Sequence, residues 1–518
     1  MNARLTIWEW IFLLAVGLVA ALGVLYPASI YGAGVSSDSM FYLSSADNFA
    51  RGAGFTDFKG DPLIDFPPLY SFILGVLRGI SGISSSVLGL ALNAAVIALL
   101  VVSTGVLLRR CLPGRRVWFY LGVLLTLVFL PLYTLGANIA TDLLYILLTL
   151  WFCLAAQSYL ENKRFAWLVA MTVLAAACAM LRWIGLAVVA SQFLLVFIAY
   201  RHELKKAILY AGVSSGLAFL PAALWIGVHN VWLSGTWGRA TLSSQYVDVL
   251  GNLRLMGERM LAWTAPNPVT TFVPVVVVFI LAILILNRGK DYRRWLSRLS
   301  HNPIMPVILV TLIYFVAVTL TGYTGDHLQT FDDRYQAPLY YFILVVLFAS
   351  LDELVFSHLT GKAYTAVTLL VLAIFGVWGV YRADLLVTFA RTSRGLGVVA
   401  YNDYNTQKFF KSGLVDYLKT NPPSDAMTIY TNEPEAIYFL LSRLVKMSPA
   451  NPAGYYADPE LLKAQFPSWP KEEEAYLVWF KPNVKRHHYS PGQLEELSLM
   501  ERLYKARDGE VYLVRPKP

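Results

Sequence analysis

Apolar runs long enough to cross a lipid bilayer recur along most of this chain, and they constrain its fold more than any other feature. A transmembrane helix needs about 20 mostly apolar residues, and by that criterion the sequence predicts about eleven spans. They lie at residues 7–26, 85–108, 117–135, 141–159, 165–181, 184–200, 207–228, 268–287, 303–321, 337–354 and 364–382. We therefore predict an all-α polytopic membrane bundle over residues 1–383.

Composition supports a membrane protein with one soluble portion. Of the 518 residues, 57% are hydrophobic and 14% are charged, whereas roughly a quarter of the residues of a soluble domain are charged. From residue 384 to residue 518 the composition becomes that of an ordinary soluble domain. Helix patterns at 405–419 and 434–442, strand patterns at 427–431 and 475–480, and an Asp508-Gly509 hairpin signal predict a small α/β domain there.

Loop charges predict the orientation in the membrane. One set of loops is basic and the intervening set holds most of the loop acids, so the positive-inside rule puts the basic loops in the cytoplasm. The basic residues are Arg109, Arg110, Arg115, Arg116, Lys163, Arg164, Arg201, Lys205, Lys206, Arg288, Lys290, Arg293, Arg294 and Arg298. The first loop (27–84) and the C-terminal domain then face outward from the plasma (inner) membrane. The net charge of +9 is largely a topology signal, which favours contact with membrane lipids over a nucleic-acid partner.

The first outer loop is the most acidic stretch between spans. Residues 36–70 read SSDSMFYLSSADNFARGAGFTDFKGDPLIDFPPLY. Asp38 opens a predicted helix over 38–51, where it is either a first-turn acid favoured by the helix dipole or a general base for an acceptor hydroxyl or amine. Asp65 precedes Phe66-Pro67-Pro68 and is either a solvated loop acid or a second catalytic acid that orients the acceptor or shares a cation. An interfacial helix is predicted from Pro67 onward.

A further acid is predicted at the outer mouth of the fourth span. Asp142 stands in NIATDLLYILLTL, where it is either a helix N-terminal acid or, together with Asp38, part of an oxygen-only site for Mg²⁺ or Mn²⁺. The seven histidines are scattered, so the sequence does not indicate a zinc site.

Three arginines on the predicted outer face are candidates for phosphate binding, because a guanidinium binds phosphate oxygens bidentately. Arg182 lies in a tight turn between two spans, Arg334 precedes the tenth span, and Arg51 ends the helix that Asp38 begins. Tyr335, next to Arg334, is either an aromatic residue of the membrane interface or a hydrogen-bond partner of the substrate. The alternative for the arginines is snorkelling toward lipid headgroups.

Taken together, these motifs resemble the GT-C fold glycosyltransferases, in particular the branch with protein O-mannosyltransferases and lipid A aminoarabinose transferases. The resemblance rests on SDSMFYLSSADNFARGAGF after the first span, PPLYSFILG, the Thr141-Asp142-Leu143 helix start, the LRWIGL turn and DDRYQAPL before a late span. It covers roughly residues 1–350. Protein mannosyltransferases have an Asp-Glu pair where this chain has Asp38-Ser39, so protein mannosylation is not carried over.

The resemblance implies transfer of a sugar from a polyprenyl-phosphate donor to a lipid, glycan or protein acceptor on the extracytoplasmic face, with inversion. Asp38 takes the family's general-base role, and Arg182 and Arg334 are the donor-phosphate candidates. Two other readings stay open. A polytopic transporter or lipid-linked glycan flippase would more often show repeated halves and ionisable residues near the bilayer midplane. A membrane-anchored scaffold acting through residues 384–518 would not account for the acids and arginines of the outer face.

Overall fold

The structure, a computed structural model, describes residues 5–112, 116–237, 249–264, 304–321, 333–354, 359–398, 404–424, 426–451, 459–481 and 487–517. Within these ranges the protein is mostly helical and contains a small five-stranded sheet. The helices are α1 (Ile7–Leu25), α2 (Ser37–Ala50), α3 (Leu69–Ser81), α4 (Ser85–Cys111), α5 (Arg116–Leu127), α6 (Leu130–Ala137), α7 (Asp142–Asn162), α8 (Phe165–Leu181), α9 (Leu186–Ala199), α10 (Leu204–Leu224), α11 (Val249–Thr264), α12 (Met305–Thr321), α13 (Asp333–Leu354), α14 (Gly361–Leu396), α15 (Gln407–Phe410), α16 (Gly413–Thr420), α17 (Pro434–Leu441), α18 (Pro459–Gln465) and α19 (Pro491–Leu494).

Helices occupy ten of the eleven predicted span positions, and the remaining one, 268–287, lies outside the described residues. Among the described helices, five are long and apolar enough to cross a membrane, and the α5–α6 pair, bent by 43°, adds a sixth. The five are Ile7–Leu25, Ser85–Cys111, Asp142–Asn162, Leu204–Trp232 and Gly361–Leu396. The chain is a multi-pass membrane protein, and the count of about eleven spans stays a prediction.

The chain forms two compact units. Unit 1 comprises residues 1–27, 64–70 and 88–392, and unit 2 comprises 28–63, 71–87 and 393–518. Most of the first outer loop thus belongs to the same unit as the C-terminal part of the chain. The predicted division between residues 383 and 384 falls inside α14, which runs unbroken to Leu396. The predicted domain boundaries stay a prediction.

Unit 1 is built around α7. Most of this helix is buried, from Asp142 at its start to Tyr159 near its end, and it packs against α8 and α12. A helix that is apolar on all sides is typical of the centre of a bundle. Elsewhere in unit 1, α1 and α4 are joined by a buried ion pair, in which Arg109 Nε lies 3.3 Å from Glu9 Oε1.

Unit 2 contains the sheet, whose strands are β1 (Thr428–Thr431), β2 (Lys446–Met447), β3 (Ala475–Phe480), β4 (Ser498–Ala506) and β5 (Gly509–Pro516). The strand order is β2-β1-β3-β5-β4. The strand β1 is parallel to β2 and β3, whereas β5 is antiparallel to β3 and β4. The core against the sheet consists of Tyr430, Leu462, Trp469, Ala475, Leu477, Trp479, Tyr489, Leu494, Leu497, Tyr512 and Val514.

Most of the elements predicted for the C-terminal part are present. Strands occupy 428–431 and 475–480, α17 begins at Pro434, and the hairpin β4–β5 turns at Arg507-Asp508. The continuous helix predicted over 405–419 is wrong, because two short helices, α15 and α16, lie there instead. Ser412 separates them, since its Oγ accepts a hydrogen bond from the backbone N–H of Val415 at 3.0 Å and so caps the second helix.

Candidate active site

The predicted site residues are divided between the two units. Asp65, Asp142, Arg182, Arg334 and Tyr335 belong to unit 1, whereas Asp38 and Arg51 belong to unit 2.

Asp142 is the first residue of α7, as the sequence predicts, and it is fully buried. A carboxylate at this position is favoured by the unpaired N–H groups and the dipole of the helix. A buried ionised carboxylate also needs charged or hydrogen-bonding partners, since desolvation otherwise costs several kcal/mol. Asp142 has two such partners, Arg182 and Arg334.

Arg182 is held by the turn that ends α8. Its backbone is extended, with φ −150° and ψ 140°, and a 3₁₀ turn over Trp183–Gly185 follows at once. The turn requires glycine, because a Cβ on Gly185 would lie 2.1 Å from the carbonyl oxygen of Cys178. Arg182 Nη1 donates hydrogen bonds to Asp142 Oδ1 and, at 3.3 Å, to Thr141 Oγ1.

Arg334 lies in the first turn of α13, where a positive charge opposes the helix dipole. Its Nε and Nη2 are both 3.5 Å from Asp142 Oδ2, so the carboxylate offsets that cost. Pro338 lacks the N–H that would bond the Arg334 carbonyl within the helix. The next carbonyl, of Tyr335, accepts a hydrogen bond from the Tyr314 hydroxyl at 2.8 Å, which fixes this first turn against α12.

Tyr335 completes the cluster. Its ring centroid lies 5.7 Å from the Arg182 guanidinium carbon, a cation–π arrangement, and the side chain is 40% exposed. Arg182 and Arg334 side chains are only 11% and 13% exposed. We call Asp142, Arg182, Arg334 and Tyr335 the arginine cluster. In this cluster two guanidinium groups face one carboxylate.

Asp65 reaches this region through its backbone. Its carbonyl oxygen accepts a hydrogen bond at 3.0 Å from Nε1 of Trp183, the residue after Arg182, and its side chain is half-buried. The neighbouring carbonyl of Ile64 accepts from Asn230 Nδ2 at 3.2 Å. Unit 1 therefore holds the backbone at Asp65 next to the Arg182 turn, and a catalytic role for the Asp65 carboxylate stays a prediction.

In unit 2, Asp38 lies in the first turn of α2. The helix begins one residue before it and ends at Ala50, close to the predicted 38–51. Ser36 is the N-cap, and a reciprocal capping box links it to Ser39 through hydrogen bonds of 3.4 Å and 3.0 Å. The Asp38 side chain is half-buried. The local sequence thus fixes the helix start, and the general-base role of Asp38 stays a prediction.

Arg51 ends α2, as predicted, and its side chain engages the same helix. Nε donates to the Asp47 carbonyl at 3.2 Å and Nη2 donates to Asn48 Oδ1 at 2.8 Å. A cation at a helix C-terminus is favoured by the helix dipole. The described contacts of Arg51 are therefore those of a C-terminal cap, and its predicted phosphate-binding role is not tested.

Sequence reasoning missed an ionic cluster in unit 2. Asp47 Oδ1 accepts from Arg78 Nη1 at 2.6 Å and from Ser85 Oγ at 2.5 Å, which ties α2 to α3 and to the start of α4. Burial raises the pKa of Asp47, and the Ser85 and Arg78 contacts act against that rise. The residues are 31 and 38 positions apart from Asp47, so no local pattern indicates the pairing.

The arginine cluster does not fit a divalent cation at Asp142. Both carboxylate oxygens already face guanidinium groups, and a cation would meet two positive charges at short range. Among the described residues, no group of three or more His, Cys, Asp or Glu side chains could hold a metal. The predicted Mg²⁺ or Mn²⁺ site is not tested, and the described contacts of Asp142 do not favour it.

The solved structures similar to this chain include two of ArnT and one of AglB. ArnT from Cupriavidus metallidurans in the apo state matches with a TM-score of 0.60 at 14% identity, over 98% of this chain and 97% of that one. The same protein bound to undecaprenyl phosphate gives 0.57 at 13% identity, over 98% of both chains. The archaeal oligosaccharyltransferase AglB from Archaeoglobus fulgidus, in complex with an inhibitory peptide and a dolichol-phosphate, gives 0.51 at 12% identity over 98% of this chain and 74% of that one.

No protein-family model matches the sequence, and a search of curated proteins found no match. The likeness is therefore one of fold, and it extends over nearly the whole chain, including the C-terminal part. The fold indicated by the sequence motifs is confirmed: this chain has the fold of the GT-C glycosyltransferases.

Proposed function

We propose that the protein is a membrane glycosyltransferase that moves a sugar from a polyprenyl-phosphate donor to an acceptor on the extracytoplasmic face. The observation that carries this proposal is the arginine cluster, in which one buried carboxylate faces two largely buried guanidinium groups. Such a cluster is suited to an anion, because the α8 turn and the start of α13 hold its two guanidinium groups in fixed directions.

The neighbours in fold support a lipid phosphate as that anion. One ArnT structure is bound to undecaprenyl phosphate, and the AglB structure contains a dolichol-phosphate. A phosphate headgroup at Arg182 and Arg334 would accept hydrogen bonds from two guanidinium groups, the geometry that suits phosphate oxygens. The multi-pass helices suit a donor whose polyprenyl chain stays in the bilayer.

Asp38 is the proposed general base. The acceptor hydroxyl or amine attacks the anomeric carbon, its proton passes to the Asp38 carboxylate, and the bond from that carbon to the phosphate oxygen breaks. The polyprenyl phosphate leaves with the electron pair of that bond, and one displacement inverts the anomeric centre. The arginines stabilise the charge that develops on the leaving phosphate, which lowers the barrier at the other end of the transfer.

The remaining predictions become secondary parts of this proposal. Asp65 orients the acceptor, Tyr335 hydrogen-bonds the donor, and Arg51 contributes positive charge. The acceptor is a lipid, a glycan or a protein.

The C-terminal part lies on the outer face of the plasma (inner) membrane. Lys419→Cys, which replaces an exposed side chain of α16, should therefore react with a membrane-impermeant thiol reagent in intact cells. Protection of that cysteine would contradict the topology.

The direct test uses the purified chain in nanodiscs with a panel of undecaprenyl-phosphate sugars and a delipidated cell-envelope extract as acceptor source. We expect wild type to transfer one of the sugars and Asp38→Asn to lose turnover while it still binds undecaprenyl phosphate. Asp61→Asn is the matched control, because Asp61 is an exposed acid of the same loop.

Three results would contradict parts of the proposal. Turnover by Asp38→Asn at the wild-type rate would exclude Asp38 as the base. Binding of undecaprenyl phosphate by wild type without transfer from any donor, together with movement of a lipid-linked sugar across the bilayer, would favour the flippase. If wild type does not bind undecaprenyl phosphate at all, the proposal of a lipid-phosphate donor is wrong.

A further inference from the structure

Two parts of the C-terminal chain hold the segment that leads into Asp38. Residues 31–37 precede Asp38 and belong, like residues 404–410 and 434–438, to unit 2. Residues 404–410 contact the chain before the α2 N-cap, Ser36. Helix α17 contacts Ser37, the residue after the N-cap. We call these contacts, made by Tyr404, Asn405, Phe410 and Glu435, the clasp.

Before the cap, the clasp consists mainly of backbone hydrogen bonds. The backbone N–H of Tyr404 donates to the Val35 carbonyl at 2.9 Å, and Asn405 Nδ2 donates to the Ala33 carbonyl at 3.0 Å. Val35 and Asn405 are both buried, so these bonds are shielded from water. The rings of Tyr31 and Phe410 meet edge to face at 5.4 Å.

Two glycines give Asn405 the space it occupies. Gly32 has φ +83°, and a Cβ there would lie 2.7 Å from Asn405 Nδ2. Gly397 has φ +91°, and a Cβ there would lie 2.7 Å from the Asn405 carbonyl oxygen. Each glycine combines a left-handed backbone with a close approach to the same residue. A side chain at either glycine would therefore collide with Asn405, so both glycines are needed for Asn405 to occupy this position.

After the cap, the clasp is one hydrogen bond to a buried carboxylate. Ser37 Oγ donates to Glu435 Oε1 at 2.9 Å. Glu435 is in the first turn of α17, where the dipole favours its charge. Just before α17, Asn432 exchanges two hydrogen bonds with the backbone of Phe480 on β3, at 3.0 Å and 2.8 Å. Glu435 is thus anchored to the sheet, and Ser37 is anchored to Glu435.

We propose that Glu435 and Asn405 are positioning residues for Asp38, so that the C-terminal part of the chain sets the geometry of the general base. The inference rests on the proposed function of Asp38. Asp38 follows Ser37 directly in the first turn of α2, so a shift of the cap moves its carboxylate. A misplacement of about 1 Å at a reacting group can lower a rate about 100-fold.

The first arm of the test measures kcat and KM for the undecaprenyl-phosphate sugar that wild type uses, with the full chain in nanodiscs. Ser37→Ala and Glu435→Ala should each lower kcat about tenfold to 100-fold at an unchanged donor KM. Glu435→Gln should keep most of the activity, since its amide oxygen still accepts from Ser37. The double variant Ser37→Ala with Glu435→Ala should be no slower than either single variant. Glu460→Ala is the matched control, because Glu460 follows a proline at the start of α18 and is exposed.

The second arm does not depend on catalysis. Hydrogen exchange of the peptide that covers residues 36–42, in the same full-length samples, should be faster in Asn405→Ala and Glu435→Ala than in wild type or Glu460→Ala. Lower kcat together with faster exchange supports the proposal. Unchanged exchange overturns it whatever the kinetics, and faster exchange with wild-type kcat also overturns it.

The two arms separate the failure of this inference from that of the proposed function. If wild type transfers sugar from no donor, the proposed function fails in the first arm. The second arm then decides the clasp by itself: faster exchange in the variants supports a clasp that holds the start of α2, and unchanged exchange refutes it.

Discussion

The described part of unit 1 contains two buried carboxylate–arginine sites that differ in the number of arginines facing the carboxylate. Glu9, 1% exposed, faces one described arginine, Arg109, between α1 and α4. Asp142, also buried, faces both Arg182 and Arg334. The first site pairs one carboxylate with one arginine and links two helices, whereas the second brings two arginines to one carboxylate and is flanked by a partly exposed tyrosine. The number of described arginines per carboxylate, and not burial, distinguishes the structural pair from the candidate anion site.

The largest effect is expected at the pair of Glu9 with Arg109. Arg109→Ala leaves the Glu9 carboxylate buried and without its cation, which costs about 3–5 kcal/mol of stability. Thermal unfolding in detergent should show a clearly lower midpoint, whereas binding of undecaprenyl phosphate to the folded fraction should not change. The double variant Glu9→Leu with Arg109→Met should recover most of the midpoint, since apolar residues can replace a buried ion pair. A loss of lipid-phosphate affinity in Arg109→Ala would remove the distinction between the two sites.

At the site with two arginines, Arg182→Ala should affect binding more than folding. Loss of one buried cation facing an anionic ligand costs about 2–5 kcal/mol, so the Kd for undecaprenyl phosphate should rise about 30-fold or more. The unfolding midpoint should fall less than in Arg109→Ala, because Asp142 keeps Arg334 as its partner. Arg164→Ala, which removes an exposed arginine, is the control. An unchanged Kd in Arg182→Ala would indicate that the arginine cluster binds no lipid phosphate.

The variant Asp142→Asn removes the carboxylate that Arg182 and Arg334 both face. The amide no longer compensates the two guanidinium groups, which should lower stability by about 1–3 kcal/mol. Undecaprenyl phosphate supplies negative charge, so its stabilising shift of the unfolding midpoint should be larger in Asp142→Asn than in wild type. The measurement is the midpoint with and without the lipid. A smaller shift than in wild type would mean that Asp142 helps to hold the anion directly.

Features that depend on residues close together in the sequence could be predicted. The start of α2 at Ser36, the helix start at Asp142 and the Arg182 turn follow from capping residues, apolar periodicity and a glycine, all of which act within a few positions. The prediction of one helix over 405–419 is wrong for a reason of the same kind, because Ser412 is a local N-cap that starts a second helix inside the periodic pattern.

Pairings between distant residues could not be predicted in this way. Asp142 meets Arg334 across 192 positions and Ser37 meets Glu435 across 398. Candidate residues were therefore found by type and by predicted side of the membrane, whereas their partners depend on packing. Glu435 and Asn405 gave no local signal at all, since each acts through a contact with the first loop.

The third carboxylate to compare is Glu472, which forms a surface ion pair with Lys446 in unit 2. Removing its charge is expected to have the smallest effect on stability. Glu472 accepts hydrogen bonds from Lys446 Nζ at 2.7 Å and from the Tyr430 hydroxyl at 2.9 Å. Although burial acts in the opposite direction, these contacts lower the pKa of Glu472 from 4.5 to about 2. Because the folded-state pKa is the lower one, the stabilisation is complete above about pH 4.5 and is lost as the pH falls toward 2.

Hydrogen exchange of the β1 peptide, corrected for intrinsic rates, should therefore show protection that declines between pH 4.5 and 2.5 in wild type. Glu472→Gln should lower the protection at pH 5 and flatten its pH dependence. Glu474→Gln, which removes the partner of Arg515 in a more exposed pair, should keep the wild-type profile. This pair joins one carboxylate to one described cation, like Glu9–Arg109, so Glu472→Gln should leave undecaprenyl phosphate binding unchanged. Weaker binding in that variant would mean that the number of cations per carboxylate does not separate structural pairs from the anion site.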